Sequence, residues 1–326
     1  MKFRTPLPPI LADQKIDLSE PILTIGSCFS ESIGAKLDEN KFDAIINPYG
    51  TIFDPLSITR LLAYSINNST PAASSHVLSE GVYKSLEIHS SFKGLSKEEL
   101  DLQIKARVSV THDFLRSAKW LIITFGTAYV YKYNQTSAYI ANCQKHPSGN
   151  FSRELLSVEY LLNDFTRLLA DLRTFNPSLN IIITVSPVRH LKDGIAENSL
   201  SKSILRLLCH ELAAKEESVH YYPSYELMMD DLRDYRFYNE DMIHPTDQAI
   251  DYIWDHFTSS FMNEGTLSFL SKWKKISSAL SHKAFNPATS EHQQFLIKTL
   301  YDLESIIDKV NVDKEMAIIK DQLLDN

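Results

Sequence analysis

The sequence of 326 residues contains no apolar run long enough to cross a membrane as a helix. Its N-terminal segment has early cations and prolines but no apolar stretch, and it carries no lipidation motif. We therefore expect neither a secretory signal nor a membrane anchor. A basic surplus is also missing, since the formal net charge is −8. This excludes the positive footprint with which nucleic-acid-binding proteins neutralise phosphates, and it predicts an acidic, soluble surface.

Cysteine is scarce, with three residues at spacings that match no zinc site and no closed disulfide framework. Reduced thiols in the cytoplasm fit this usage best. Internal repeats and low-complexity segments are absent as well. The chain does have an ordinary globular composition, with 44% hydrophobic and 23% charged residues. Its 16 Phe, 15 Tyr and 3 Trp supply enough apolar mass for a sizeable core.

Short apolar runs alternate with longer amphipathic segments through the first 260 or so residues. Strands are predicted over 21–25, 42–46, 120–125, 180–185 and 219–222, and helices over 29–38, 55–66, 96–117, 153–175 and 197–216. A strand or hairpin is expected within 67–94, and a small hairpin after residue 126. The alternation predicts an α/β fold with a parallel sheet that is covered by helices on both faces. Ligands bind such sheets beyond the carboxyl ends of the strands.

From about residue 263 the sequence shows helical patterns only, with Pro287 between two helical stretches. We therefore predict a main domain of residues 1–262 and a helical extension of residues 263–326. The extension is expected to pack on the main domain or to mediate homo-oligomerisation.

Ser27 directly follows a predicted buried strand and directly precedes a predicted helix. The first N–H groups of a helix are unpaired and carry the positive end of its dipole, so an oxyanion that forms there meets ready donors. The alternative interpretation is a simple helix N-cap, a position that serine often occupies. The neighbouring Cys28 could also be a nucleophile, although a small buried packing residue is the more usual role.

Asp241 and His244 are three positions apart, which places both side chains on one side of a turn. The carboxylate can then orient the imidazole through one ring nitrogen and leave the other nitrogen to face a nucleophile. A metal-ligand pair or an ordinary surface turn is the alternative. With Ser27 the pair gives the chain order Ser, Asp, His, which is a known variant of the catalytic triad.

Several segments, in order along the chain, resemble the GSCFA-domain family, which is similar to the SGNH (GDSL-like) hydrolases. They are GSCF at 26–29, GTAYVY at 126–131, ANCQK at 141–145, SPVRH at 186–190 and RDYRFYNEDMIHP at 233–245. The resemblance covers roughly residues 15–262. It implies a three-layer α/β/α, flavodoxin-like fold and the hydrolysis of esters of small acyl groups, lipids or sugars, with no metal or other cofactor.

The resemblance also assigns roles to individual residues. Ser27 matches the nucleophile, Asp241 the orienting acid and His244 the general base.

In the SGNH hydrolases the N–H groups of the serine and of a glycine, together with an asparagine side chain, form the oxyanion hole. The resemblance makes Ser27 and Gly50 the backbone donors. The usual Gly-x-Asn-Asp is replaced by GTAY at 126–129, so the resemblance leaves Thr127 or Asn142 for the third donor.

Three other residues are candidates for substrate binding. His89 lies in an irregular segment that could line the pocket, and an ordinary exposed or capped histidine is the alternative. Arg189 and His190 follow a predicted strand end and should face the cleft. They could bind a substrate carboxylate or hydroxyl, with a structural ion pair as the alternative.

These observations predict a cytoplasmic serine esterase that cleaves small acyl groups, such as acetyl, from a small-molecule ester. Acetylated carbohydrate is the substrate class that the family resemblance implies. An O-acyltransferase would use the same triad and pass the acyl group to another alcohol. A non-catalytic binding protein with a degenerate oxyanion hole is the alternative from a different class.

Overall fold

The computed structural model describes residues 4–324, and that part of the chain contains ten strands and ten α-helices. The strands are β1 (Ile22–Gly26), β2 (Ala44–Ile46), β3 (His76–Ser79), β4 (Val82–Ser85), β5 (Trp120–Phe125), β6 (Tyr129–Tyr133), β7 (Ala138–Ile140), β8 (Phe151–Leu155), β9 (Asn180–Val185) and β10 (Val219–Tyr222). The helices are α1 (Cys28–Glu39), α2 (Pro55–Asn67), α3 (Lys97–Ser117), α4 (Val158–Phe175), α5 (Ile195–Lys215), α6 (Ser224–Glu226), α7 (Asp247–Phe261), α8 (Glu264–Leu280), α9 (Ser290–Glu304) and α10 (Asp313–Lys320).

Five parallel strands form the central sheet in the order β10-β9-β5-β1-β2. Counted along the chain, these five strands have the order 2-1-3-4-5, which is the flavodoxin-like arrangement. The direction of winding reverses between β1 and β5, and ligands bind beyond the carboxyl ends of the strands at such a point. Ser27 follows β1 and Gly126 follows β5, so both residues lie at this position.

Helices cover both faces of the sheet, which gives the predicted three-layer α/β/α fold. Helices α2, α3, α4 and α5 pack on one face, and α1 and α7 pack on the other. Alternate strand residues supply the two cores: Ile123 points to the first face and Ile122 to the second. Within residues 4–324 no helix has the length and apolar character needed to cross a membrane.

The predicted helix over 153–175 is wrong at its beginning. Phe151–Leu155 is strand β8, which pairs antiparallel with β6 and completes a three-stranded sheet with β7. Helix α4 begins only at Val158, where the Ser157 side chain accepts a hydrogen bond from the N–H of Tyr160. The backbone hydrogen bonds between β8 and β6 outweigh the helical periodicity of the local sequence at residues 153–155. The hairpin β3–β4 agrees with the strand or hairpin that was predicted within 67–94.

Helices α8, α9 and α10 share an apolar cluster of their own. Trp273 Nε1 donates a hydrogen bond to the carbonyl oxygen of Glu39 at 2.7 Å, and Lys41 Nζ lies 2.6 Å from Glu315 Oε1. Glu39 is the last residue of α1 and Lys41 lies two positions beyond it. Helix α1 runs opposite to the parallel strands that it connects. These helices therefore contact the amino edge of the sheet, away from the edge that carries Ser27.

Candidate active site

The Ser27 side chain is buried and unpaired. Its backbone is extended at the N-cap position of α1, yet its hydroxyl makes no capping hydrogen bond. The residue has no exposed surface, and no partner within the described residues bonds to its Oγ. A capping serine would accept a hydrogen bond from the first helical turn. Because this hydroxyl does not, it is available for another interaction.

Gly26 sets the position of Ser27. Its φ is +141°, and a Cβ atom at this residue would lie 2.2 Å from the carbonyl oxygen of Thr124 in β5. Only glycine combines this backbone conformation with so close an approach of two strands. The glycine thus allows β1 to end tightly against β5, which places Ser27 where the strand order reverses.

Asp241 holds His244 as a triad aspartate would. Asp241 Oδ2 lies 2.6 Å from His244 Nδ1, and Asp241 Oδ1 accepts the backbone N–H groups of Ile243 and His244 at 2.8 Å and 3.0 Å. These hydrogen bonds, led by the one from the His244 backbone, lower the pKa of Asp241 to about 2. Both side chains are about half exposed. Among the described residues no group of three or more His, Cys, Asp or Glu is arranged to hold a metal ion.

Ser27 and His244 are not hydrogen-bonded to each other, since Ser27 Oγ has no partner among the described residues. The loop with His244 nevertheless contacts the loop that follows β9, where the Arg189 N–H donates to the Ile243 carbonyl oxygen at 3.4 Å. His244 therefore belongs to the same edge of the sheet as Ser27. The catalytic pairing of these two residues stays a prediction.

The predicted oxyanion donors are largely occupied by hydrogen bonds within the protein. The backbone bonds run from Ser27 N to Thr124 O at 3.0 Å and from Gly50 N to Asn47 O at 2.8 Å. The Thr127 hydroxyl accepts the N–H of Tyr129 at 3.1 Å and shares a hydrogen bond with the Ser201 hydroxyl at 3.0 Å. Asn142 accepts the N–H of Gln144 through its side-chain oxygen at 2.8 Å. An oxyanion at this edge would have to compete with the bonds that the two backbone N–H groups and the Thr127 hydroxyl already make.

Asn47, to which the sequence analysis gave no role, presents a free amide. It follows β2, and its N–H donates to the carbonyl oxygen of Thr24 at 2.9 Å. The side chain is buried, and neither its nitrogen nor its oxygen has a partner in the described part of the chain. Buried amides are normally paired, so an unpaired one at this edge is available to hydrogen-bond a ligand or a water molecule. Its place directly after a predicted strand is the signal that could have found it.

Lys202 is a second residue that sequence reasoning missed. It is 1% exposed, and its Nζ donates to the carbonyl oxygens of Gly126 at 2.8 Å and Ser186 at 2.7 Å. Burial lowers the pKa of Lys202 to about 7. The lysine therefore fastens the ends of β5 and β9, which carry two of the loops at the site. Its spacing from Leu205 and Cys209 on the apolar face of α5 was the available signal.

The three predicted substrate-binding residues differ in their surroundings. Burial, with a smaller effect of nearby positive charges, lowers the pKa of His190 to about 4, so the imidazole is neutral near pH 7. Its Nε2 has no partner among the described residues. His89 Nδ1 hydrogen-bonds to the Ser91 hydroxyl at 3.1 Å, and the ring packs against Gly50. The Arg189 guanidinium lies over a tyrosine ring, 4.3 Å from its centroid.

Comparison with known proteins gives two family matches. The GSCFA family model matches residues 21–257, and the model of the GSCFA C-terminal domain matches residues 273–325. No curated protein matches the sequence.

Solved structures with a similar fold are distant. One, provisionally described as a platelet activating factor from Streptococcus pneumonia, has 14% identity and a TM-score of 0.40 over 74% of this chain and 85% of that chain. A carbohydrate esterase family 3 protein from Talaromyces cellulolyticus has 8% identity and a TM-score of 0.35, over 78% and 99% of the two chains. A family 3 carbohydrate esterase from Clostridium thermocellum has 10% identity and a TM-score of 0.32, over 78% of this chain and 98% of that chain.

The match to the GSCFA family model, at residues 21–257, contains all three predicted triad residues, Ser27, Asp241 and His244.

Proposed function

The chain belongs to the GSCFA family, and we propose that it is a serine esterase in which Ser27 attacks the carbonyl carbon of a small acyl ester. The observation that carries this proposal is the Ser27 hydroxyl, which is buried and has no hydrogen-bond partner among the described residues. It follows β1 at the point where the strand order reverses, which is where open α/β sheets bind ligands.

In the proposed mechanism, His244 accepts the proton of Ser27 Oγ as that oxygen attacks the ester carbonyl. Asp241 stabilises the imidazolium that results, and His244 then gives the proton to the departing alcohol. Water attacks the acyl-enzyme by the reverse sequence of proton transfers, which releases the acid and restores the serine. The half-exposed loop 241–244 must bring the imidazole to the hydroxyl when substrate binds, as catalytic hydrogen bonds often tighten only in the complex.

We further propose that Asn47 supplies the amide donor that the GTAY segment lacks. The strands β1 and β2 are parallel neighbours, so Asn47 and Ser27 follow them at the same edge of the sheet. The loop after Asn47 turns over the end of β1, where the Ile52 N–H donates to the Gly26 carbonyl oxygen at 2.9 Å. A free buried amide beside the nucleophile matches the need for a preorganised donor to the oxyanion. Acetylated carbohydrate is the substrate class we propose, on the family resemblance.

The substitution Ser27→Ala tests this assignment. It removes the nucleophile, so kcat for 4-nitrophenyl acetate should fall by about 1,000-fold or more, while circular dichroism and the melting temperature stay near the wild-type values. Ser30→Ala is a matched control, because Ser30 is another buried serine of α1 with an unpartnered hydroxyl. Its turnover should stay close to wild type. Full activity of Ser27→Ala would rule out this serine as the nucleophile.

A fluorophosphonate probe separates the esterase from a binding protein that has lost its activity. An activated serine reacts covalently with such a probe, and peptide mapping should then find the label on Ser27. Absence of labelling in a folded, wild-type protein would favour the non-catalytic interpretation.

A further inference from the structure

A cavity of about 320 Å³ lies beside the loop that holds Asp241 and His244. Its wall comes from the loop after β9, from the π-helical turn Leu227–Leu232 and from residues 233–238. The lining includes Arg189, Met228, Arg233, Asp234, Tyr235 and Tyr238. The N–H of Asn239, one residue beyond this lining, donates to the His244 carbonyl oxygen at 2.8 Å. The backbone beside the cavity is therefore hydrogen-bonded to the loop that carries His244.

The two arginines of this cavity have no acidic partner. No carboxylate among the described side chains lies within the 4.0 Å salt-bridge distance of Arg189 or Arg233, although the chain has a formal net charge of −8. Asp234 also lines the cavity, but it pairs with Arg236 at 3.6 Å. The structural ion pair that sequence analysis gave as the alternative role for Arg189 is thus not formed there. Two such guanidinium groups in one cavity indicate a site for an anion.

Arg189 is held in an orientation that suits anion binding. Its guanidinium lies 4.3 Å from the ring centroid of Tyr238 and 5.4 Å from that of Tyr235. The N–H donors lie at the edge of the guanidinium plane, where a planar carboxylate can accept from them, although one of them also interacts with the Tyr238 hydroxyl. Arg233 has a left-handed backbone with φ +46°, and its N–H donates to the Met228 carbonyl oxygen at 3.2 Å. The ring contacts therefore hold the Arg189 guanidinium, whereas at Arg233 it is the backbone that is held.

We propose that this cavity binds a carboxylate group on the alcohol part of the ester. The assignment to the alcohol rests on the proposed function, in which His244 gives its proton to the departing alcohol. Because the segments that line the cavity are hydrogen-bonded to the loop of His244, we assign the cavity to that alcohol rather than to the acyl group. The guanidinium groups of Arg189 and Arg233 would hold the carboxylate through charge-assisted hydrogen bonds. The preferred substrates are then acyl esters of acidic alcohols, such as acylated sugar acids.

A pair of matched esters tests the inference. The compounds 4-acetoxybenzoate and methyl 4-acetoxybenzoate carry the same acetyl group and aromatic ring, and they differ in one negative charge. Wild-type kcat/KM should be about tenfold or more higher for the charged ester, because charge-assisted hydrogen bonds are stronger than those between neutral groups. Arg189→Met should reduce this ratio to about one. Arg233→Asn, which tolerates the left-handed backbone, should reduce it as well.

Arg107→Met is the matched control, because Arg107 is an exposed arginine of α3 that lies outside this cavity. It should keep the wild-type ratio. Binding of 4-hydroxybenzoate and of its methyl ester to Ser27→Ala, measured by calorimetry, gives a readout that needs no turnover. The carboxylate should bind more tightly, and Arg189→Met in that background should remove the difference.

The outcomes separate the two proposals. Equal cleavage of both esters, with equal binding of both phenols, would overturn the carboxylate site and leave the esterase proposal standing. If neither ester is cleaved but 4-hydroxybenzoate binds in an Arg189-dependent manner, the anion site stands and the esterase proposal fails. A preference that survives in both arginine variants would also overturn the inference.

Discussion

At the scale of single residues, Asn47 is the most direct test of the oxyanion hole. Asn47→Asp preserves the shape of the side chain and suits its left-handed backbone, φ +40°, but it replaces the amide donor by an acceptor. We expect kcat for an acetyl ester to fall about 100- to 1,000-fold, because the developing negative charge loses a donor. Steady-state kinetics measure this effect.

Asn68 offers a control for that substitution. It is an exposed residue at the end of α2 with a similar left-handed backbone, φ +48°. Asn68→Asp should leave kcat within about twofold of wild type, since surface changes away from a site have small effects. An Asn47→Asp enzyme with unimpaired kcat would show that the oxyanion is stabilised by other groups.

The buried Lys202 predicts a pH-dependent stability. Burial lowers its pKa from the ordinary 10.5 to about 7, so between these pH values the unfolded chain holds a proton that the folded chain has released. Unfolding then takes up a proton, and the free energy of unfolding rises with pH across this window. Lys202→Met lacks this contribution. The difference in stability, wild type minus variant, should therefore increase between pH 7 and pH 10, by on the order of a few kcal/mol.

Urea denaturation of both proteins at the two pH values measures this difference. Lys105→Met, which replaces an exposed lysine of α3, is the control and should show no such trend. A difference between wild type and Lys202→Met that does not change with pH would contradict the lowered pKa of the buried lysine.

The sequence allowed part of the site to be predicted, for reasons that differ between residues. Ser27 could be found because its position, between an apolar strand and a helix, is visible locally. The Asp241–His244 pair could be found because its contact spans only three positions. The roles of Asn47 and Lys202 depend on burial and on the absence or presence of distant hydrogen-bond partners. Those properties arise from tertiary packing, which the sequence does not display residue by residue.

At the scale of elements, Gly26 controls the junction between β1, β5 and α1. Gly26→Ala would place a Cβ atom 2.2 Å from the Thr124 carbonyl oxygen, so the two strands would have to separate. We expect the free energy of unfolding to fall by about 3 kcal/mol or more, from overpacking and from the positive φ of +141° together. Chemical denaturation followed by circular dichroism measures the loss.

Gly81→Ala separates the two causes. Gly81 also has a positive φ, +80°, but a Cβ atom there would have no neighbour within 4 Å. Its substitution should therefore cost only about 1 kcal/mol, for the backbone conformation alone. Equal losses for the two variants would mean that the contact with Thr124 has no special weight.

The elements of the central sheet were predictable because each buried parallel strand is a continuous apolar run. Strands β5, β9 and β10 have the predicted bounds, and β1 is displaced by one residue. Residues 153–155 of β8 were assigned to a helix because the partner of this strand, β6, is about twenty positions away and leaves no local pattern. The π-helical turn Leu227–Leu232, which lines the arginine cavity, likewise has no periodic signal of its own.

At the scale of the whole molecule, Trp273 links the C-terminal helices to the main body. The side chain is 4% exposed, and its indole N–H donates to the carbonyl oxygen of Glu39. Trp273→Ala should lower the free energy of unfolding by about 3–5 kcal/mol, as large-to-small core substitutions do. It should leave kcat/KM of the folded enzyme within about twofold, because this contact lies at the sheet edge opposite Ser27. Denaturation and kinetics on one preparation test both statements.

Phe285→Ala is the control, since the Phe285 side chain is fully exposed and its loss should change neither property much. A strong loss of kcat/KM in folded Trp273→Ala would show that the two edges of the sheet are coupled. Sizing of a chain that ends at residue 262 tests the separate prediction that the C-terminal helices mediate self-association.

The burial of Ser27 has a consequence for what reaches it. A hydroxyl with no exposed surface cannot touch an ester until neighbouring groups move, so the proposed chemistry requires a rearrangement at this edge of the sheet before the attack. If that rearrangement limits turnover, the rate will respond to the viscosity of the surrounding solvent.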